Sequence, residues 1–568
     1  MMWRNQLAVG TPGCSCYRGP TLGGGPMFWD LAIVVTYFAV IFVIGLRARA
    51  SEDVGAEEYF LSSRSLRWPA IAISTLATNI SAGHFISIAG AAYVFGLAQG
   101  NFELNAVFGV VVAAFFFVPL YLKRKVVTIS QFFESIFGPG IAATYSVLMM
   151  VLYAFMYLGL SLFMAAYAID GVFGELVGWI HPTEWVRLCI LCVALGLFSA
   201  VYTYLGGLSA VVRTDIAQFV LLLGGGFILL FLAIKELGGW SQLYAVTGDL
   251  MHLHLPRDAQ IEVRGEMVKN KIPWTAIICM NLLNLYYWGG NQVILQRSLA
   301  ARSLRDAQIG LLVGGILKYV MVLIIVVPGI ALAGMLDTEI LKADPELLRE
   351  GSQALRDPDQ AYLLLVNEIL PNGLRGLILC GLFASLMSTV DSIFNSVSTL
   401  WSVDIYKRHL RPDATDQQVV STAKKAILGA LCTGLSFAFV IVYYKTVNPD
   451  DTLSHWSKEM SNYIKNGFVV LVTAAVFLIR PSRRWMVAAL ATSGVLYLGL
   501  KLSMPEMNYM VRSSWAIVLS FAVIAIPTIL SNGWRIPLKE LIAAPDKGVA
   551  RFGMALFASL ILIHILFH

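Results

Sequence analysis

From residue 28 onward the chain is a succession of apolar runs, each about 20 residues long, separated by short polar connections. A helix rises about 1.5 Å per residue, so each run spans the roughly 30 Å hydrocarbon core of a bilayer. Inside that core every backbone N–H and C=O must bond within the protein, which a helix does by itself. Of the 568 residues, 58% are hydrophobic and 13% charged, where soluble domains carry about a quarter charged. These features specify an all-α integral membrane protein and exclude a soluble enzyme domain of useful size between the runs.

The runs begin near residues 28, 67, 104, 141, 186, 209, 273, 308, 375, 425, 461, 485, 512 and 549, which gives about fourteen transmembrane helices. The connections near 236–272 and 337–374 are long enough for short surface helices. Residues 1–26 hold Arg4 and Arg18 but no apolar stretch that would make a signal-peptide core. They read as a disordered leader or as an extension from an upstream start site, and 27–568 as a single membrane unit. Seven cysteines, among them Cys14 and Cys16, lack metal-ligand spacing with histidine and read as small apolar side chains.

Short loops rich in Lys and Arg stay on the cytoplasmic face. With fourteen alternating spans, Lys123 to Lys125, Arg297 with Arg302 and Arg305, Lys407 with Arg408 and Arg411, and Arg480 with Arg483 and Arg484 all fall on one side. The connections at 99–102 and 170–184 carry neither residue type. This places a multi-pass protein in a cell membrane with both termini outside. It also accounts for the net charge of +6 without a nucleic-acid partner.

Two spans are interrupted by polar residues and glycine, Leu76 to His84 in the second and Asn284 to Gln292 in the seventh. Interrupted helices expose backbone groups that bind ions and solutes at mid-membrane. Each alone fits a kinked helix equally well. They lie five spans apart, the separation of the first helices of two five-helix repeats. In the ninth span, Ser385, Ser388, Thr389, Ser392, Asn395 and Ser396 share one helix face. Such hydroxyls either glue helices together or offer oxygens to a hard cation such as sodium.

Lys318 lies about ten residues inside its run, roughly 15 Å from the helix end, where a charge implies function. Asp391, beside the hydroxyl stripe, is a candidate cation-sensing carboxylate. Asp215 follows a Gly206-Gly207-Leu208-Ser209 turn, and either senses a cation or forms a solvated pair with Arg213. Glu103, His84, Asn284, Lys318 and Tyr287 together supply the donors, acceptors and aromatic face that a sugar pocket needs. No nucleophile, base and orienting group can be assembled, so the chain reads as no enzyme.

These motifs resemble the sodium/solute symporter family, in its sodium/glucose and sodium/galactose cotransporter branch. The resemblance is carried by Asn79-Ile80-Ser81 with Gly83-His84-Phe85, by Gly206 to Ala210 with Thr214-Asp215, and by Tyr286 to Gly289 with Asn291-Gln292 and Gln296-Arg297. It continues through Lys318, Pro328-Gly329, Ser388-Thr389, Ser392 to Ser396 and Asp404 to Tyr406. It implies a LeuT-like core of two inverted five-helix repeats over about 67–480, with peripheral helices at 28–47, 485–502, 512–530 and 549–567. It implies sodium-coupled symport of a glucose- or galactose-like sugar by alternating access, with no cofactor besides sodium as the coupling ion. The implied sodium set is the carbonyls of Ala77 and Ile80 with Ser385, Ser388 and Thr389, and Asp215 matches an aspartate linked to cation binding or release. The implied sugar contacts are His84, Glu103, Asn284 and Lys318, with Tyr287 as inner gate backed by Trp288.

Two departures bear on the solute. His84 stands where bacterial galactose carriers of the family have glutamine, as in the animal glucose carriers. The sugar-binding glutamine of the eleventh span has no counterpart. Asn462 is the candidate substitute, while Lys465 points toward an anionic or otherwise different solute such as a sialic-acid-like compound or an inositol. A non-transporting solute sensor on the same scaffold is the reading from another class.

Overall fold

The structure, a computed structural model, describes residues 28–47, 56–80, 83–258, 260–263, 266–349, 352–371, 373–448, 453–532 and 546–568. The leader 1–26 lies outside the described residues. Eleven helices among those described are long and apolar enough to cross a membrane. The first helix, α1 (Phe28–Arg47), adds a shorter apolar segment, Ala32–Ile44. The connection around 236–272 holds the expected short helix, Trp240–Thr247, and also a two-stranded antiparallel hairpin, Gln260–Val263 with Glu266–Lys269. The hairpin was not foreseen, since four residues per strand carry too little periodicity to separate from loop.

Helix α2 (Trp68–Asn79) starts with Pro69 in its first turn and stops because Ile80 turns extended, at φ −89° and ψ 117°. Its twelve residues cover about 18 Å, only part of the bilayer, so its C-terminal end lies within the protein. Helical backbone resumes at Gly83 and runs as a π-helix through His84–Ile88.

Helix α3 (Glu184–Glu236) is helically bonded through the expected turn at Gly206-Gly207 for 53 residues. The side-chain contacts nevertheless reverse direction within it. Thr203 donates to Asp391 at 2.9 Å, and twelve residues later Asp215 accepts from Ser388 at 2.5 Å. A straight helix would separate those positions by about 18 Å, while their partners are one turn apart. The chain therefore folds back between Thr203 and Asp215, and helical backbone takes the place of a loop at the reversal. Its two apolar windows, Glu184–Val201 and Val211–Glu236, flank that reversal.

The second break separates helix α4 (Ala276–Gly289) from helix α5 (Gln292–Leu299), with Asn291 extended at φ −96° and ψ 112°. Helix α6 (Leu304–Met321) follows, opened by the Ser303 side chain accepting from the Asp306 amide. Helix α7 (Leu374–Thr399) is almost wholly buried. Its N-terminal amides are met by a carboxylate from α1, where Asp30 accepts from Gly373 and Gly376 at 2.7 Å each. Helix α8 (Leu453–Phe477) follows later in the chain and is 25 residues long.

One end of the bundle gathers the basic loops. Arg64 donates to the carbonyls of Leu299 at 3.1 Å and Lys125 at 3.0 Å, and Arg408 pairs with Glu134. Arg297 departs from the expectation for that end. It is fully buried on α5, because the helix resumes before it and carries it into the protein.

Candidate functional site

The two breaks expose backbone carbonyls and treat them differently. At the second, the carbonyl of Gly289 accepts from the Tyr121 hydroxyl and that of Gly290 from Tyr145 at 2.6 Å. Tyr153 donates to the Asn291 side chain at 2.5 Å. Tyrosine hydroxyls thus satisfy this break with protein groups. Gly289 is obligatory there, because a Cβ would enter the Phe117 ring.

At the first break the partners are the hydroxyls of α7. Ser385 donates to the Ile80 carbonyl at 2.9 Å, and Thr389 lies 3.3 Å from the carbonyls of both Thr78 and Ile80. Ala77 sits in the same last turn, among the carbonyls a helix end leaves without a helical donor. Two carbonyls and two hydroxyls therefore converge at the negative end of the α2 dipole, an arrangement whose chemistry suits a hard monovalent cation. Among the described residues no cluster of three His, Cys, Asp or Glu has metal-binding placement.

The other residues expected to touch the ion are placed elsewhere. Ser388 donates to Asp215, which also accepts from Ser74 at 2.5 Å and lies 3.6 Å from the Arg297 guanidinium. Asp215 is fully buried while Arg213 is exposed, so the solvated Asp215–Arg213 pair is replaced by a buried Asp215–Arg297 pair. Arg297 donates further to Val293 at 2.7 Å, to Ser74 at 3.1 Å and to Ser392. The knot pins α2, α3, α5 and α7 together. Asp391 faces Thr203 across α3, on another side of α7 from the Ile80 carbonyl.

Beside the oxygen cluster lies a cavity of about 290 Å³. His84, Glu103, Asn284, Tyr287, Trp288, Lys318 and Asn462, the whole expected solute set, line it. Lys318, 2% exposed, contacts the Glu103 carboxylate and the Asn79 side-chain oxygen. His84 Nε2 is 3.6 Å from the other Glu103 oxygen. Asn284 donates to the Asn105 carbonyl at 2.9 Å, and Asn462 donates to Ser513 at 2.9 Å. The Trp288 ring meets Tyr287 edge-on at 5.7 Å, and its buried indole N–H has no hydrogen-bond partner among the described residues.

Sequence reasoning missed the residue that joins the two parts. Asn79 donates to the Tyr287 hydroxyl at 2.5 Å while its oxygen receives Lys318. Its neighbours on either side, Thr78 and Ile80, supply the carbonyls of the oxygen cluster. The signal was present as a polar residue inside the break, but nothing local shows which way its side chain points. Lys458 was also missed. It lines the cavity 3.5 Å from the Phe102 ring centroid, and only its seven-residue spacing from Lys465 marks it in the sequence.

Residues 59–490 match the sodium:solute symporter family. The chain is 33% identical over 465 residues to sodium/glucose cotransporter 4 of Mus musculus, covering 79% of this chain and 65% of the mouse protein. It is 29% identical over 482 residues to the sodium/glucose cotransporter of Vibrio parahaemolyticus, covering 80% and 86% of the two chains. Sodium/myo-inositol cotransporter 2 of Bos taurus is 32% identical over 411 residues, 70% of this chain and 59% of its own. In fold, the chain is similar to a substrate-bound, outward-open Na+-coupled sialic acid symporter, with a TM-score of 0.71 at 19% identity over 87% of this chain and 97% of the other. That likeness shows a LeuT-like helical fold. With the match running from before the first broken helix to beyond α8, the chain belongs to the sodium:solute symporter family.

Proposed function

We propose that this protein is a secondary active transporter that couples sodium entry to symport of a sugar-sized polyhydroxylated solute, glucose- or galactose-like in its ring, by alternating access. The observation that carries the reading is Asn79. A sodium ion on the Ile80 carbonyl with Ser385 and Thr389, in the turn that also carries Ala77 and Thr78, fixes the end of α2, and the same turn aims Asn79 at Tyr287 and Lys318 in the solute cavity. Ion and solute thus meet through one residue, which gives each a means of stabilising the other's site. Ser388 acts from behind, through Asp215, and Asp391 through Thr203. The cavity, at about 290 Å³, sits at the small end of the roughly 300–1,000 Å³ range of ligand pockets and suits a single ring. His84, Glu103, Asn284, Lys318 and Asn462 hold its hydroxyls, with Tyr287 and Trp288 closing over it. The basic end faces the cytoplasm of a cell membrane with both termini outside, following the rule for basic loops.

The test is the sodium dependence of Ser385→Ala/Thr389→Ala in reconstituted vesicles. Losing two of the hydroxyl ligands at one site raises the sodium concentration for half-maximal uptake about tenfold or more, by analogy with one to two lost hydrogen bonds to a charge. A double variant with the wild-type sodium response removes these hydroxyls from the ion site.

A further inference from the structure

Helix α8 presents one polar face to the cavity. Lys458, Ser461, Asn462 and Lys465 recur at i, i+3, i+4 and i+7, and all four line it. Taken with the remaining walls, the charged residues lining the cavity among those described are three lysines and one carboxylate: Lys318, Lys458, Lys465 and Glu103. Glu103 is in contact with Lys318 and also near His84. Lysines thus outnumber carboxylates three to one in the lining.

Lys465 carries that excess most clearly. It stands twelve residues into α8, about 18 Å from the start of the helix and so near the middle of a roughly 30 Å core. Its ammonium lies 5.1 Å over the Tyr157 ring and has no hydrogen-bond or ion-pair partner among the described residues. An ammonium at that depth is expensive, and a cation–π contact offsets only part of the cost. A transporter tolerates it when its cargo brings the counter-charge.

We infer that the solute is an acidic sugar, a hydroxylated ring bearing a carboxylate that Lys465 binds. Lys458, two turns away on the same face, deepens the positive field, and Ser461 with Asn462 between them receives ring hydroxyls. No arginine lines the cavity among the described residues, and α8 turns side chains rather than its N-terminus toward it. The forked guanidinium that pairs bidentately with phosphate is therefore missing among the described residues, and point-charge amines remain for a carboxylate. The inference rests on the sodium-coupled sugar reading and narrows it.

Wild-type protein, reconstituted in vesicles with an inward sodium gradient, is offered labelled glucuronate, galacturonate, glucose and galactose. The expected result is sodium-driven uptake of a hexuronate, with the neutral hexoses taken up weakly and competing poorly. Lys465→Gln then raises the KM for the acid about thirtyfold or more, the effect of removing one partner of a buried charge pair, and Lys465→Arg recovers part of it. Sodium-driven uptake of a neutral hexose that neither hexuronate inhibits overturns the inference and leaves the symport reading standing. Uptake of all four that ignores sodium defeats the symport reading, and the inference with it. A Lys465→Gln protein that keeps its sodium-induced thermal shift is folded, and wild-type KM for the acid in that protein also overturns the assignment.

Discussion

Glu103→Gln should abolish concentrative uptake and lower thermal stability in detergent, because it strands a charge rather than removing one. Lys318 lies fourteen residues into α6, about 21 Å from its start, and is buried against Glu103 and Asn79. Breaking a buried pair from one side costs about 3–5 kcal/mol, since the remaining ion keeps its desolvation penalty. Lys318→Met should be similarly harmful, leaving Glu103 to His84. The double variant Glu103→Gln/Lys318→Met removes both charges and should recover most of the lost stability while remaining inactive. Melting curves of the four proteins give the coupling directly. Additive losses would mean that the pair contributes nothing as a pair.

The second large effect is expected at Arg297. Arg297→Met leaves Asp215 buried with only the Ser74 and Ser388 hydroxyls, and removes at one stroke the donors to Val293, Ser74 and Ser392. A loss of about 3–5 kcal/mol is again expected, because four helices lose their common fastening. Adding Asp215→Asn should return part of it. If Asp215 were instead a solvent-facing residue beside Arg213, neither change would move the melting temperature, and the second would not rescue the first.

Much of this was legible in the sequence, for reasons that differ by residue. The bilayer imposes a fixed length and a uniform chemistry, so the spans stand out from apolar runs alone. The two breaks were visible because glycine and polar residues are out of place in such runs. Their different fates were not. Tyr121, Tyr145 and Tyr153 satisfy the second break from distant parts of the chain, and no local pattern announces a hydroxyl arriving from more than a hundred residues away. Arg297 misled for a related reason: counting basic residues near span ends assigns it to a loop, yet α5 carries it inward to Asp215. The hydroxyl stripe of α7 was legible as a face, but Ser385 and Thr389 turn to the α2 carbonyls while Ser388 turns to Asp215. Residues one turn apart on a helix share a face without sharing a partner.

Every residue expected to contact solute lines the cavity. What the sequence left out was the connection. Asn79 belongs to the break by position and to the cavity by its side chain, and only the folded arrangement shows both.

The most direct measurement of the central claim is accumulation of labelled solute, drawn from the sugar and hexuronate panel, by purified protein in sealed vesicles. An inward sodium gradient should drive the internal concentration above the external one, and a sodium ionophore should collapse it. A potassium gradient of equal size should not replace sodium. Equal uptake with and without the sodium gradient would contradict the account.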